Sequence, residues 1–142
     1  MNALLRFRDA KTLKLVKKTD KKILAKWAID CALRVLPLFE KKYKDKRPRI
    51  ALDALKTWIK TQKFSMKVIR KASLDSHAAA REVDGYYRSV ARACGQAVAT
   101  AHVKTHSIGS AMYSLQAIYL KTNSELNVEK ERNWQYKRLV SL

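Results

Sequence analysis

Between Gly85 and Leu120 the chain carries only three charged side chains, Arg88, Arg92 and Lys104, and no acid, although its formal net charge is +19. A segment that escapes so strong a charge bias is expected to lie inside the fold, and its many small residues let helices approach closely. It also carries His102 and His106, four residues apart and therefore on one face of a helix. His77, in Asp75-Ser-His-Ala-Ala-Ala-Arg81, is the third histidine of the chain.

A chain of 142 residues can bury roughly two-thirds of the surface it would expose when unfolded, enough for one ordinary core. Gly (3) and Pro (2) are too scarce to turn the chain at every hairpin of an all-β protein, so long helices with short connections are expected. No apolar run approaches the roughly 20 residues that span a bilayer, and the first residues lack a secretory apolar block; a soluble cytoplasmic protein without membrane contact is the expectation. Cys31 and Cys94 each fall on an apolar helical face, where a free thiol behaves as a small hydrophobe.

The spacing predicts an all-α, single-domain bundle of five to six helices over residues 20–142, after a partly helical basic lead segment over 1–19. Asp20 caps the first helix, with Leu24, Trp27, Ala28, Cys31, Val35 and Leu38 as its inward stripe. Pro37 is expected to kink or divide it, and Asp30 and Arg34 are spaced to pair along its outer side. Pro48 suits the first turn of a second helix to about Gln62. Ser65 caps a third, on which Met66, Ile69, Ser73, His77 and Ala80 share a face.

Asp84 caps a fourth helix, lined on one side by Tyr87, Ala91, Cys94, Val98, Ala101, His102 and Thr105. A break near residues 104–108 is needed to avoid one unusually long helix, and Thr105 or Ser107 can cap the next. A short final helix has Glu129 and Glu131 early and Lys137 and Arg138 late, which complements the helix dipole. Trp27, Trp58 and Trp134 fall on or beside apolar stripes and read as core anchors.

Few residues could carry chemistry. Gly-rich phosphate loops, a Gly-x-Ser-x-Gly elbow and His-Glu-x-x-His are absent, so no cofactor is called for. His77, His102 and His106 could together hold Zn²⁺ with one open position, which would make the protein a metal-binding bundle with hydrolytic potential. No acid lies between Gly85 and Leu120 to serve as a second shell. The other reading makes them hydrogen-bonding groups satisfied by carbonyls or by hydroxyls such as Ser73, Thr105 and Ser107. Arg81 is either a surface side chain at a helix end or a buried anchor for a carboxylate such as Asp30. Arg47 and Arg49, flanking Pro48, frame a helix start or a basic binding loop.

Charge is unevenly distributed: residues 6–71 hold 22 Lys or Arg against 6 acids, and 72–142 hold 9 against 6. A half at +16 fits a nucleic-acid-binding surface, an acidic protein partner, or a solvated lysine-rich face. Exposed aromatics and a reading helix, which nucleic-acid recognition usually adds, are not evident.

A resemblance emerges from Leu24-Ala-Lys-Trp27-Ala-Ile-Asp30-Cys31-Ala with Arg34-Val-Leu-Pro37, Arg47-Pro48-Arg49 and Trp58. It continues through His77-Ala-Ala-Ala-Arg81, Ala91-Arg-Ala-Cys-Gly95, His102, His106 and Gly109 to Glu131-Arg132-x-Trp134-Gln135. From about Leu24 to Leu139 the chain resembles the immunity-protein-five-like family of bacteria and archaea, encoded with polymorphic toxins. The resemblance implies an all-helical, non-catalytic protein that binds and neutralises a toxin, with no catalytic residue to carry over. Asp30, Arg47, Arg49, His77, Arg81, His102, His106 and Trp134 are then the family-motif candidates for partner binding. Gln96 stands where that pattern usually has a histidine, and Leu33 where it commonly has an acid. A protein at +19 would repel a basic nuclease toxin, so the expected partner presents an acidic surface or meets the less charged second half.

Overall fold

The computed structural model describes residues 3–142, which are all-helical, with no strand among the described residues. A short 3-10 helix (Ala3–Phe7) leads into α1 (Ala10–Lys18), α2 (Lys21–Glu40) and α3 (Arg47–Thr61). Then follow α4 (Met66–Arg81), α5 (Gly85–Ala99), α6 (His106–Thr122) and α7 (Glu125–Ser141). The seven α-helices among the described residues exceed the five to six expected, because the basic lead segment contributes α1. Asp9 starts it by accepting the Thr12 amide, and Thr12 and Val16 are its buried stripe. No helix among the described residues is long and apolar enough to cross a membrane.

The expected start signals operate at α2 and α4: Asp20 accepts from the Ile23 amide and Ser65 from the Val68 amide. Pro37 does not divide α2, which continues to Glu40; the proline sits on the exposed side in the last turn, where few following residues depend on the lost hydrogen bond. Asp84 occupies the N-cap position of α5, but its carboxylate pairs with Arg88 rather than with the backbone. Left-handed residues close two helices, Gln62 after α3 (φ 56°) and Asn123 after α6 (φ 50°).

α5 and α6 form the spine that the charge pattern marks. Most of their buried positions are small, including Ala91, Ala93, Cys94, Gly95 and Ala97 on α5 and Ser107, Ser110, Ala111, Ser114 and Ala117 on α6, while Val90, Val98, Met112 and Leu115 are the larger buried side chains. Hydroxyls packed in or against this spine donate to backbone carbonyls of neighbouring helices. Ser76 of α4 reaches the Ala91 oxygen (2.7 Å), Ser73 the Gly95 oxygen (2.9 Å), and Ser110 of α6 the Ala28 oxygen of α2 (2.8 Å). Each bond satisfies a polar group that burial would otherwise penalise, and each requires its two helices to lie close together.

The three cations of the spine are also structural. Arg88 donates to the Ala80 (3.2 Å) and Val83 (3.0 Å) oxygens at the end of α4. Lys104 donates to the Lys17 (3.2 Å) and Thr19 (2.9 Å) oxygens at the end of α1, where helix carbonyls lack intrahelical partners. Arg92 meets His77 (2.9 Å).

α7 is as long as α6 and not the short helix expected, and it closes over α2. Its buried stripe, Val128, Glu131, Gln135 and Leu139, is half polar, which hides it from an apolar reading. The Trp27 indole donates to the Gln135 carbonyl (2.8 Å), while the Gln135 amide donates to Ala111 (3.0 Å), so Gln135 ties α7 to α2 and α6 at once. Arg34 does not pair with Asp30. It donates twice to Glu131 (3.0 and 2.9 Å) with its guanidinium 4.1 Å from the Trp134 ring centre, and Asp30 accepts from Arg138 (2.8 Å). The planar, two-point match to Glu131 wins over a single contact within α2.

Glu131 is 8% exposed and supplies both acceptors of this fork. Glu131→Ala is expected to destabilise the fold by about 1–2 kcal/mol in urea denaturation, with Arg34→Ala in the same range because its outer side is solvated. The double variant should lose less than the sum of the two; strict additivity would show that the pair does not act as a unit.

Candidate functional site

The eight candidate residues do not converge on one place. Asp30 and Trp134 lie on the α2–α7 seam, each held by the arginine just described. Arg47 and Arg49 fix the start of α3. Arg47 pairs with Asp45 (2.6 Å) and with Glu82 beyond the end of α4, while Arg49 forks onto Glu40 (2.7 Å at both nitrogens). These contacts hold the Asp45 and Glu40 carboxyls below the usual range and raise both guanidiniums further, chiefly through side-chain hydrogen bonds. Arg81 is exposed at the end of α4, and the carboxylate proposed for it, Asp30, is taken by Arg138.

His77 and His106 each pack against α5, on neighbouring residues of it. His77 of α4 lies over Gly95, where an ideal Cβ would sit 2.7 Å from its Nε2 and 2.9 Å from its Cε1. Its Nδ1 faces Arg92 Nη1 at 2.9 Å; a guanidinium can only donate, so Nδ1 accepts and the neutral ring carries its proton on Nε2. His106 of α6 has its Nδ1 2.8 Å from Gln96 Oε1, which makes Nδ1 the donor and the opposite tautomer the one present. Gln96 lies against Gly109, where a Cβ would meet its Oε1 at 2.7 Å. Two glycines thus make room for the two side chains packed between helices.

Burial first, then the nearby Arg92, Arg81 and His106, lower the His77 pKa from 6.5 to about 4. Burial and His102 lower that of His106 as well. Both rings are therefore neutral at neutral pH. His102 departs from expectation, because α5 ends at Ala99 and a turn follows in which His102 and Val103 amides both return to the Ala99 carbonyl. His102 consequently faces outward, stacked on Phe64 with ring centres 6.2 Å apart. Ser107 donates to the Lys104 carbonyl (2.7 Å) and Ser73 to Gly95, so neither hydroxyl serves a histidine.

Among the described residues, no group of three His, Cys, Asp or Glu side chains is placed to hold a metal ion. Chemistry through the thiols is disfavoured by position: Cys31 and Cys94 are free and fully buried, and burial pushes both thiols up, away from the reactive thiolate. The arrangement supports hydrogen bonding between helices. Arg92, Gln96, Glu131 and Arg138 are the partners that sequence reasoning missed. Arg92 and Glu131 lie inside the motifs already singled out, but their cross-helix partners are 15 and 97 residues away.

A model of the family described as Imm-5 like putative immunity protein matches residues 14–142, from within α1 to the end of the chain. No curated protein and no solved structure matches the chain.

Gly95→Ala should cost about 1–2 kcal/mol in thermal or urea unfolding, since the His77 ring must leave Arg92 to admit the methyl group. In a His77→Ala background the same change should be neutral or stabilising, because alanine favours a helix over glycine by about 1 kcal/mol. An equal cost in both backgrounds would remove the close approach from the explanation.

The depressed His77 pKa has its own signature. Between pH 6.5 and about 4 the unfolded chain binds the proton and the folded one resists it, so stability is complete above 6.5 and falls through that window. The partly solvated ring makes this on the order of 1–2 kcal/mol, read as a drop in the urea midpoint between pH 7 and pH 4.5. His77→Gln should flatten most of it; a profile unchanged by that substitution would assign the effect elsewhere.

Proposed function

Since the chain belongs to the Imm-5 like putative immunity protein family, we propose that it neutralises a protein toxin by stoichiometric binding, without turning over a substrate. The family match over residues 14–142 carries this reading. The disposition of reactive groups supports it: the thiols are buried, His77 and His106 are engaged through Nδ1, and the motif residues of the α2–α7 seam hold those two helices to one another. A rigid body with its chemistry used internally suits a partner that must be blocked rather than modified.

The test is co-expression with any toxin domain found to be encoded beside this gene. Protection should track a 1:1 complex in size-exclusion chromatography, and protection should vanish once toxin exceeds the chain in molar amount. Association should slow about tenfold or more between 50 and 500 mM salt, as expected when a strongly charged protein steers its partner. Full protection at a small fraction of the toxin concentration, with no complex, would overturn stoichiometric binding in favour of catalysis.

A further inference from the structure

Where α2, α3 and α7 meet, two adjoining hollows form one surface groove. The first has a volume of about 320 Å³, with Lys26 on α2 and Lys56 and Lys60 on α3 around a floor of Ile29, Leu33 and Ile59. The second, about 390 Å³, shares Asp30, Leu33 and Arg138 with it and ends at Arg34 and Trp134. On α2 the spacing of Lys26, Ile29, Asp30 and Leu33 keeps them in one stripe, and Lys56, Ile59 and Lys60 do the same on α3.

The charges of the groove do not cancel evenly. Asp30 is neutralised by Arg138, and Glu131 beside the groove by Arg34. No carboxylate among the described residues lies within ion-pairing distance of Lys26, Lys56 or Lys60. Three exposed ammonium groups thus surround an apolar floor. Carboxylates rather than phosphates complement this combination. A phosphodiester backbone would meet the lysines but gain nothing from Ile29, Leu33 and Ile59, and the Trp134 face that a base could stack on is covered by Arg34. A second copy of the chain would bring the same cations and be repelled.

We propose that this groove is the docking surface for an acidic segment of the partner protein. Carboxylates would sit opposite Lys26, Lys56 and Lys60, and an apolar side chain would lie on Ile29, Leu33 and Ile59. This rests on the protein-binding reading above and adds the partner's chemistry and the place where it binds.

The full chain is titrated calorimetrically with a 12-residue peptide of Glu-Glu-Leu repeats, at 50 mM salt. Lys26→Gln/Lys56→Gln/Lys60→Gln should weaken binding at least about tenfold, and the equally charged control Lys14→Gln/Lys17→Gln/Lys18→Gln on α1 by less than about threefold. Leu33→Glu, which changes the net charge by one, should also cost about tenfold by placing a carboxylate on the floor. Circular dichroism of each variant confirms folding, which exposed Lys→Gln changes leave intact. Equal losses in the two triple variants would overturn the proposal as diffuse attraction. So would a 12-base-pair DNA duplex that binds more tightly than the peptide and shows the same dependence on the groove. A toxin domain found beside the gene would separate the two levels. A toxin that fails to bind while the peptide results hold sinks the immunity reading and leaves the groove. A toxin that binds the groove variant as well as wild type sinks the groove and leaves the reading.

Discussion

The close approach of α4, α6 and α2 to the small-residue face of α5 and its continuation is the constraint on which the other features depend. Serine hydroxyls take part in it as much as alanine methyls do. Ser76 and Ser73 bond to carbonyls of α5, and Ser110 bonds to a carbonyl of α2, distances that a larger side chain at Ala91, Gly95 or Ala28 would open. Such a bond is weak in net terms, about 1 kcal/mol, but an unpaired buried hydroxyl is costly, so the set specifies one spacing between helices. His77 over Gly95 and Gln96 against Gly109 are consequences of that spacing. They fill the remaining gaps with polar groups whose hydrogen bonds are internal.

Scarce carboxylates impose a second order on the molecule. With 12 acids against 31 cations, most cations must lack a partner, and the structure assigns the partners to arginine. Arg6, Arg34, Arg47, Arg49, Arg88 and Arg138 each hold an acid, whereas Lys71 is the one lysine that does so among the described residues. The planar guanidinium fork suits fixed contacts between helices; a flexible, strongly hydrated ammonium suits a surface. The net charge is thereby concentrated on lysines that are free to meet something else.

Local signals were the legible part of the sequence. Asp20 and Ser65 mark helix starts through their own neighbours three residues on, and the break near Thr105 follows from the length that an unbroken helix would need. Contacts across the sequence were not legible. Asp30 and Arg34 have ideal spacing for each other, yet each has a partner on α7 about a hundred residues later, and no periodicity encodes that choice. α7 was under-read for a physical reason, since Glu131 and Gln135 occupy buried positions that a search for apolar stripes passes over. His102 was misplaced because the residues after Ala99 continue the helical pattern while the backbone tightens into a turn. Of the candidate site, the pairing of His77 with the α5 face was foreseeable from its stripe on α4, but Arg92 and Gln96 were not.

The seam and the groove are joined by the same residues. Asp30 and Arg138 line the groove, and their ion pair also binds α7 to α2; Arg34 ends the groove, and its fork onto Glu131 does the same. The walls carrying Lys26 and Trp134 are therefore fixed before any partner arrives, and α3, with Lys56 and Lys60, is anchored by Leu52, Leu55 and Trp58 in the main core. Binding to such a surface costs little ordering of the backbone, so favourable contacts are offset mainly by loss of freedom in the lysine side chains themselves. Because the ion pairs that hold the lining lie beside it rather than in its floor, a substitution at a position such as Leu33 can change what the groove accepts without disturbing what fixes its walls.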